Sequence, residues 1–187
     1  MHLTRYFMYQ RISRFFKEAP RSGRVLAVSG WEYLYPMFDQ PRSTLVEANW
    51  PQHDMMNLSF PDESFNYVIS DQVLEHISNP FRAAGEVRRV LRPGGYAIHT
   101  TCFMDRIHAH PSDYWRISCE ALKYLHKDYS RIVACESWGN RAVYLLSSLR
   151  RRFRFIPVPE HPFSPIRALA THNDPNFPVV TWIIAQK

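Results

Sequence analysis

Apolar positions along this chain alternate between two spacings. Short apolar runs at Arg24–Val28, Thr44–Glu47, Phe65–Ser70, Tyr96–Cys102, 131–137 and Val179–Ala185 read as strands, the third bounded by the turn-forming Pro61–Ser64. Between them the spacing lengthens to that of helices. Over residues 3–17, Leu3, Tyr6, Phe7, Ile12, Phe15 and Phe16 can share one face, while Arg5, Arg11, Arg14 and Lys17 fall mostly elsewhere. Pro20 stops that helix. Asn79-Pro80 opens another, because Asn caps and Pro suits the first helical position; Phe81, Ala84, Val87 and Leu91 then recur at helical spacing until Pro93-Gly94-Gly95 turns the chain. Further helices are predicted at 119–127 and 140–152. Residues 156–178 carry Pro157, Pro159, Pro162, Pro165, Pro175 and Pro178 and are expected to be irregular.

Alternating strands and helices, with strands apolar on both faces, predict an α/β fold: a largely parallel sheet covered on each side. The closing run Val179–Ala185 is expected as a buried strand. Such sheets bind ligands beyond the carboxyl ends of their strands, which directs attention to the loops after Val28, Glu47, Ser70 and Cys102. The N-terminal helix is expected to cover the sheet; a membrane-surface helix is the alternative.

The chain has 187 residues with a net charge of +6, a size expected for one domain. The basic balance admits a phosphate-rich partner without requiring one. Its clearest cluster is Arg150, Arg151, Arg152 and Arg154, interleaved with Phe153 and Phe155 and read as a solvated helix end. No apolar run is long enough for a bilayer, and the first residues lack a secretory pattern. Cys102, Cys119 and Cys135 match no zinc or disulfide spacing and are expected as thiols in a cytoplasmic protein.

The run from Asp54 to Pro80, with Leu58-Ser-Phe-Pro-Asp-Glu-Ser-Phe65, a strand and Leu74-Glu-His76, is followed by Glu86-Val-Arg-Arg-Val-Leu-Arg-Pro-Gly-Gly95. In content, order and spacing it resembles the class I S-adenosylmethionine-dependent methyltransferases of type 11. Phe103-Met-Asp-Arg-Ile-His-Ala-His-Pro-Ser-Asp-Tyr-Trp-Arg116 is similar to a stretch of methyltransferase-like proteins associated with bacterial surface-polysaccharide synthesis. Trp138-Gly-Asn-Arg141 and Asn173–Pro178 look like that subgroup too. Two departures stand out. The first glycine motif, D-x-G-x-G in the family, reads Ala27-Val-Ser-Gly-Trp31, without the acid. The stretch between the first two strands is also short, so a helix is reduced or lost there. Weaker cofactor binding than is usual for the class is expected.

The resemblance implies a Rossmann-like fold, with the apolar closing run Val179–Ala185 as an antiparallel strand beside 131–137, and S-adenosyl-L-methionine as cofactor. It assigns Glu47 to the ribose hydroxyls, Asp54 and Met55 to the adenine, Ser29, Gly30 and Trp31 to the methionine end, and Asp71, Gln72 and Val73 to contacts beside the sulfonium. On the residues alone, Glu47 reads as a surface carboxylate and Asp54 as a turn residue. The implied reaction is O-methylation of a small sugar-containing or nucleotide-linked acceptor. A sugar hydroxyl needs a base as its bond to the methyl forms. His108 is the candidate by position and by its titration near neutrality; Asp113, Trp115, Arg116 and His76 are assigned to the acceptor. The alternative is that Asp113 pairs with Arg116 while Tyr114 and Trp115 pack, and that His76 is structural. His108, His110 and Asp113 lack a clear further ligand, so no metal is expected. A non-catalytic binding or scaffold protein of the same fold is the alternative function. A nucleic-acid methyltransferase is favoured by charge alone, since Asp71-Gln-Val-Leu stands where an N-P-P-Y-type motif would be.

Overall fold

The computed structural model describes residues 1–19, 22–109 and 111–187. Pro20, expected to stop the first helix, and His110, expected as an intervening position, lie outside these residues.

The expected strands form one sheet. In chain order they are β1 (Gly23–Val28), β2 (Ser43–Ala48), β3 (Phe65–Asp71), β4 (Leu91–Cys102), β5 (Arg131–Trp138) and β6 (Val180–Gln186), arranged β2-β1-β3-β4-β6-β5. The pairings β1–β2, β1–β3 and β3–β4 are parallel. β6 runs antiparallel between β4 and β5, as the resemblance and the apolar closing run together implied. Strand order reverses at β1, with β2 on one side and β3 on the other, so a crevice opens at their carboxyl ends.

Two apolar layers hold the sheet. On one face lies α1 (Tyr6–Glu18). Its buried Met8, Tyr9, Ile12 and Phe16 pack with Val25, Ala27, Tyr67, Ile98 and Trp182. The stretch between β1 and β2 forms only 3-10 turns at Tyr35–Met37 and Gln40–Arg42. Leu34 and Phe38 from it pack with α1 in the same layer. Thus α1 covers the face where the sequence leaves no room for a full crossover helix. On the other face, α2 (Pro80–Val90) and α3 (Cys119–Leu125) bury Ala83, Val87, Val90 and Leu122 against Leu26, Val68, Ala97 and Ile183.

Helix starts follow local chemistry. Asn79 accepts from the Arg82 amide and Ser118 from the Ala121 amide; Asn140 caps α4 (Arg141–Leu149) through the Val143 amide. The expectation that 156–178 is irregular is corrected: Pro165–Thr171 forms a helix, α5, with Ser164 accepting from the Arg167 amide and Pro165 in the first turn. Proline there starts a helix instead of preventing one. The basic cluster also leaves its expected helix, since α4 ends at Leu149 and Arg151–Phe155 is a 3-10 turn.

The subgroup-like segments at 138–141 and 173–178 dock on each other. The Gly139 amide donates to Asn173 Oδ1 at 3.0 Å, and Arg141 lies 4.5 Å from the Phe177 ring centroid. A Cβ on Gly139 would fall 2.1 Å from the Phe177 carbonyl oxygen, so only glycine fits. No helix among the described residues is long and apolar enough to cross a membrane.

Candidate active site

A cavity of about 530 Å³ occupies the crevice at the carboxyl ends of the strands. Its wall comes from every loop singled out in the sequence: Val28 and Ser29 after β1, Trp50 and His53–Met56 after β2, Gln72, Val73 and His76–Ser78 after β3, and His108, Pro111, Ser112 and Tyr114 after β4. Arg5, at the start of α1, completes it.

The backbone turns sharply where β1 and β3 end. Ser29 and Gln72 have positive φ, 46° and 59°, and Gly30 has φ of 92°. Non-glycine residues enter this region rarely and at some cost, and they collect at functional sites. The Gln72 amide and Nε2 both donate to Thr100 Oγ1, at 3.1 and 2.9 Å, holding the β3 loop to β4. A Cβ on Gly30 would stand 3.1 Å from the Asp71 carbonyl oxygen. The close approach served by Gly30 is therefore to β3, not to the cavity.

Of the residues assigned to the cofactor, Ser29, Asp54, Met55, Gln72 and Val73 line the cavity, whereas Gly30, Trp31, Glu47 and Asp71 do not. Trp31 packs edge-on against Tyr35. Glu47 is exposed near the end of β2, with Asn49 Nδ2 donating to it at 3.1 Å. The Asp54 carboxylate accepts from the Met56 amide at 2.8 Å and so shapes the turn after β2. The Asp71 carboxylate takes a hydrogen bond from the Tyr9 hydroxyl and one from Thr100 Oγ1 at 2.5 Å, and Arg5 lies 3.6 Å away. Burial, and then the neighbouring Asp71 charge, push the Tyr9 hydroxyl pKa upward, which keeps it a donor.

The motif that carries the resemblance braces the loop after β2 from outside the cavity. Glu86 accepts from the Leu58 amide and pairs with Arg89, and Arg89 donates to the Leu58 and Phe60 carbonyls and to Asp62. The pair fastens the loop after β2 to α2. The bond to Arg89, helped by the Leu58 amide and against the effect of burial, holds the Glu86 pKa below the ordinary carboxylate range.

The loop after β4 is braced at several points. Arg116 makes a two-pronged bond to Asp113, at 2.5 and 2.9 Å, and donates to the Asp105 and Arg106 carbonyls. This bond, against the effect of burial, holds the Asp113 pKa down at about 2. Arg154, from the basic cluster, pairs with Asp105 at 2.5 Å. Asp113 and Arg116 thus brace the loop and do not line the cavity, as the pairing alternative expected. Trp115 donates from Nε1 to the Ile77 carbonyl and faces a separate groove with Phe81 and Tyr124.

Both named histidines reach the cavity. His76 Nδ1 lies 2.6 Å from the Ser112 carbonyl oxygen, and His108 Nδ1 lies 3.1 Å from the Arg106 carbonyl oxygen and 3.4 Å from Asp113 Oδ2. A carbonyl can only accept, so the facing Nδ1 carries the proton and Nε2 keeps its lone pair. Sequence reasoning missed Arg5, Trp50, His53, Ser112 and Tyr114 on this wall. Their arrival depends on loop packing, which no local pattern encodes. Arg5 was read only as part of a polar helix face.

Comparison with known proteins agrees with this geometry. Residues 10–99, just under half of the chain, match a methyltransferase domain family. An uncharacterized 37.1 kDa protein of a Streptomyces fradiae transposon is 32% identical over 44% of this chain and 24% of its own length, so the match spans only about a quarter of that relative. A SAM-dependent methyltransferase structure from Archaeoglobus fulgidus superposes with a TM-score of 0.61 at 16% identity, covering 98% of this chain and 94% of the other. Phosphoethanolamine N-methyltransferase 2 of Haemonchus contortus, solved with phosphomonomethylethanolamine and S-adenosylhomocysteine, has a TM-score of 0.61 at 15% identity over 96% of this chain and 52% of that one. Residues 10–99 thus resemble a methyltransferase domain, and the chain shares the fold of solved SAM-dependent methyltransferases.

Proposed function

We propose that the crevice binds S-adenosylmethionine and passes its methyl group to a hydroxyl of a small sugar-containing or nucleotide-linked acceptor, in keeping with the resemblance of the 103–116 loop to proteins of surface-polysaccharide synthesis. The observation that carries the reading is the pair of histidines, His76 and His108, set with free Nε2 lone pairs on a cavity at the switch point of the sheet.

The residues present fit the cofactor. The cavity volume lies in the range of small-molecule sites. Met55 offers a buried apolar surface for a purine ring and Asp54 a carboxylate near it. Arg5 is the cationic side chain on the wall among the described residues, and its buried Nε has no hydrogen-bond partner; it suits the α-carboxylate of the methionine moiety. Ser29, Gln72 and Val73 line the junction between the two halves. Glu47 would take the ribose hydroxyls in exchange for its bond to Asn49, and Gly30, Trp31 and Asp71 would act from behind the wall by fixing the strand ends.

S-adenosylmethionine supplies an electrophilic methyl on a sulfonium whose leaving group departs neutral. The protein's tasks are to align the acceptor and remove its proton. His108 is the base, oriented through Nδ1; the Asp113–Arg116 pair fixes the loop that carries it, Trp115 ties that loop to the β3 loop through the Ile77 carbonyl, and His76 contacts the acceptor. Incubation with labelled S-adenosylmethionine and a panel of sugar nucleotides and glycans tests the reading. Label transfer that depends on His108 supports it; no transfer to any sugar-containing acceptor argues against it.

One observation favours a non-catalytic binding protein instead. Asp71 and Glu47, assigned to the cofactor, lie off the wall and already have protein partners.

A further inference from the structure

We propose that Glu75, His76 and His108 bind one divalent transition-metal ion at the acceptor end of the cavity. One donor atom from each of the three lies within 4.8 Å of the others. Ligation at about 2.0–2.2 Å brings donors to within roughly 4 Å of one another, so small side-chain rotations close the site.

Three features separate this cluster from a chance gathering of polar groups. First, both imidazoles have Nδ1 directed at a backbone carbonyl, Ser112 for His76 and Arg106 for His108. Metal-bound histidines characteristically donate their other ring N–H to such a group, which fixes the tautomer and leaves the second nitrogen to the ion. Second, Glu75 is fully buried; its Oε2 accepts from Thr101 Oγ1 at 2.8 Å, but its Oε1 has no partner. An unpaired carboxylate oxygen is costly to bury, and a cation is the partner it lacks. Third, His76 and His108 line the cavity, so the remaining coordination positions face a ligand instead of closed protein.

A competing trio, Cys102, Asp105 and His108, is also close together. Asp105, however, is held by Arg154 at 2.5 Å, and burial, then Glu75, push the Cys102 thiol pKa up, away from the thiolate that metals need. Nearby Arg5 carries a positive charge that acts chiefly on Asp71, at 3.6 Å, and more weakly on Glu75, with which it makes no direct ion pair. Two imidazoles and one carboxylate suit Zn²⁺, Co²⁺ or Fe²⁺ better than Mg²⁺ or Ca²⁺, which prefer oxygen.

This site goes beyond methyl transfer and does not depend on it. If the crevice does act on a hydroxyl, an ion here would lower the pKa of that hydroxyl, and the histidines would serve as ligands in place of a base.

The test uses the whole chain, stripped with a chelator and titrated with Zn²⁺ by calorimetry and with Co²⁺ by visible absorption. One equivalent is expected to bind. His76→Ala and His108→Ala should each weaken binding at least 10-fold, Glu75→Gln should do so as well, and the exposed His161→Ala should leave it unchanged. The two histidines are partly exposed, so their variants remain informative if Glu75→Gln fails to fold. Absence of stoichiometric binding, or binding unaffected by either histidine variant, overturns the proposal. A separate titration with S-adenosylmethionine reports on the cofactor reading, so the two can fail independently.

Discussion

His76 and His108 meet edge to face with ring centroids 5.1 Å apart, although they come from loops after different strands. The β3 loop brings His76 and the β4 loop brings His108. The carbonyl of Glu75, beside His76, accepts from the Tyr114 and Trp115 amides and ties the two loops together. The acceptor end of the crevice is therefore one braced unit.

That bracing makes the two histidines separable by mutation. His108→Ala is expected to leave cofactor binding intact and to lower turnover roughly 100-fold, the usual range for loss of a general base. His110→Ala should do much less. Steady-state kinetics with the acceptor found by labelling compares them; equal small effects would move the base to His76.

Asp71 joins α1 to the end of β3 through Tyr9, Arg5 and Thr100. Asp71→Asn removes the nearest counter-charge of a buried arginine and is expected to destabilise the fold by about 3 kcal/mol. Urea unfolding followed by tryptophan fluorescence measures it. Tyr9→Phe, which removes a single donor to the carboxylate, should cost less, about 1–2 kcal/mol.

Arg89 grips Glu86, Asp62 and the Leu58 and Phe60 carbonyls with a planar fork of donors. Lysine has the charge but not the fork. Arg89→Lys is expected to cost about 1–2 kcal/mol in thermal unfolding and to speed amide exchange over 57–62, while α2 stays protected.

Acid should weaken the protein below pH 6.5. Burial pushes His126 down to about 4 from an ordinary 6.5, and burial, then His126, lower its buried neighbour His99 as well. The fold refuses protons that the unfolded chain accepts. Their contribution is therefore complete above pH 6.5 and is lost as pH falls toward 4, by roughly 3 kcal/mol for His126 alone. His126→Phe should flatten this part of the stability–pH curve, measured by denaturant unfolding at stepped pH.

Much of the fold was legible because its signals are local. The runs around Val25, Val68 and Ile183 are apolar on both faces, as buried strands must be, and Asn79-Pro80 is a helix start that tertiary structure had no reason to override. Helix α5 was missed because proline was counted as a breaker without asking whether a serine preceded it; Ser164-Pro165 is itself a start signal. The site was legible in part. Ser29, Asp54, Met55, Gln72, Val73, His76 and His108 reach the cavity because the motif spacing fixes which strand ends carry them. Asp71 lies off the wall because Tyr9 and Arg5, far away in sequence, hold its carboxylate. Arg5 escaped notice for the same reason: nothing near it in sequence indicates that the cover helix begins at the mouth of the crevice.

Calorimetric titration of the purified chain with S-adenosylmethionine tests the central claim most directly. The account expects binding of one equivalent, weaker than is usual for the class because Ala27 stands in place of the family's acid. Arg5→Ala is expected to weaken it about tenfold or more, in line with the loss of a charged hydrogen bond. No heat of binding at millimolar ligand, or wild-type affinity in the Arg5→Ala variant together with Glu47→Ala, would contradict the assignment of this crevice to the cofactor.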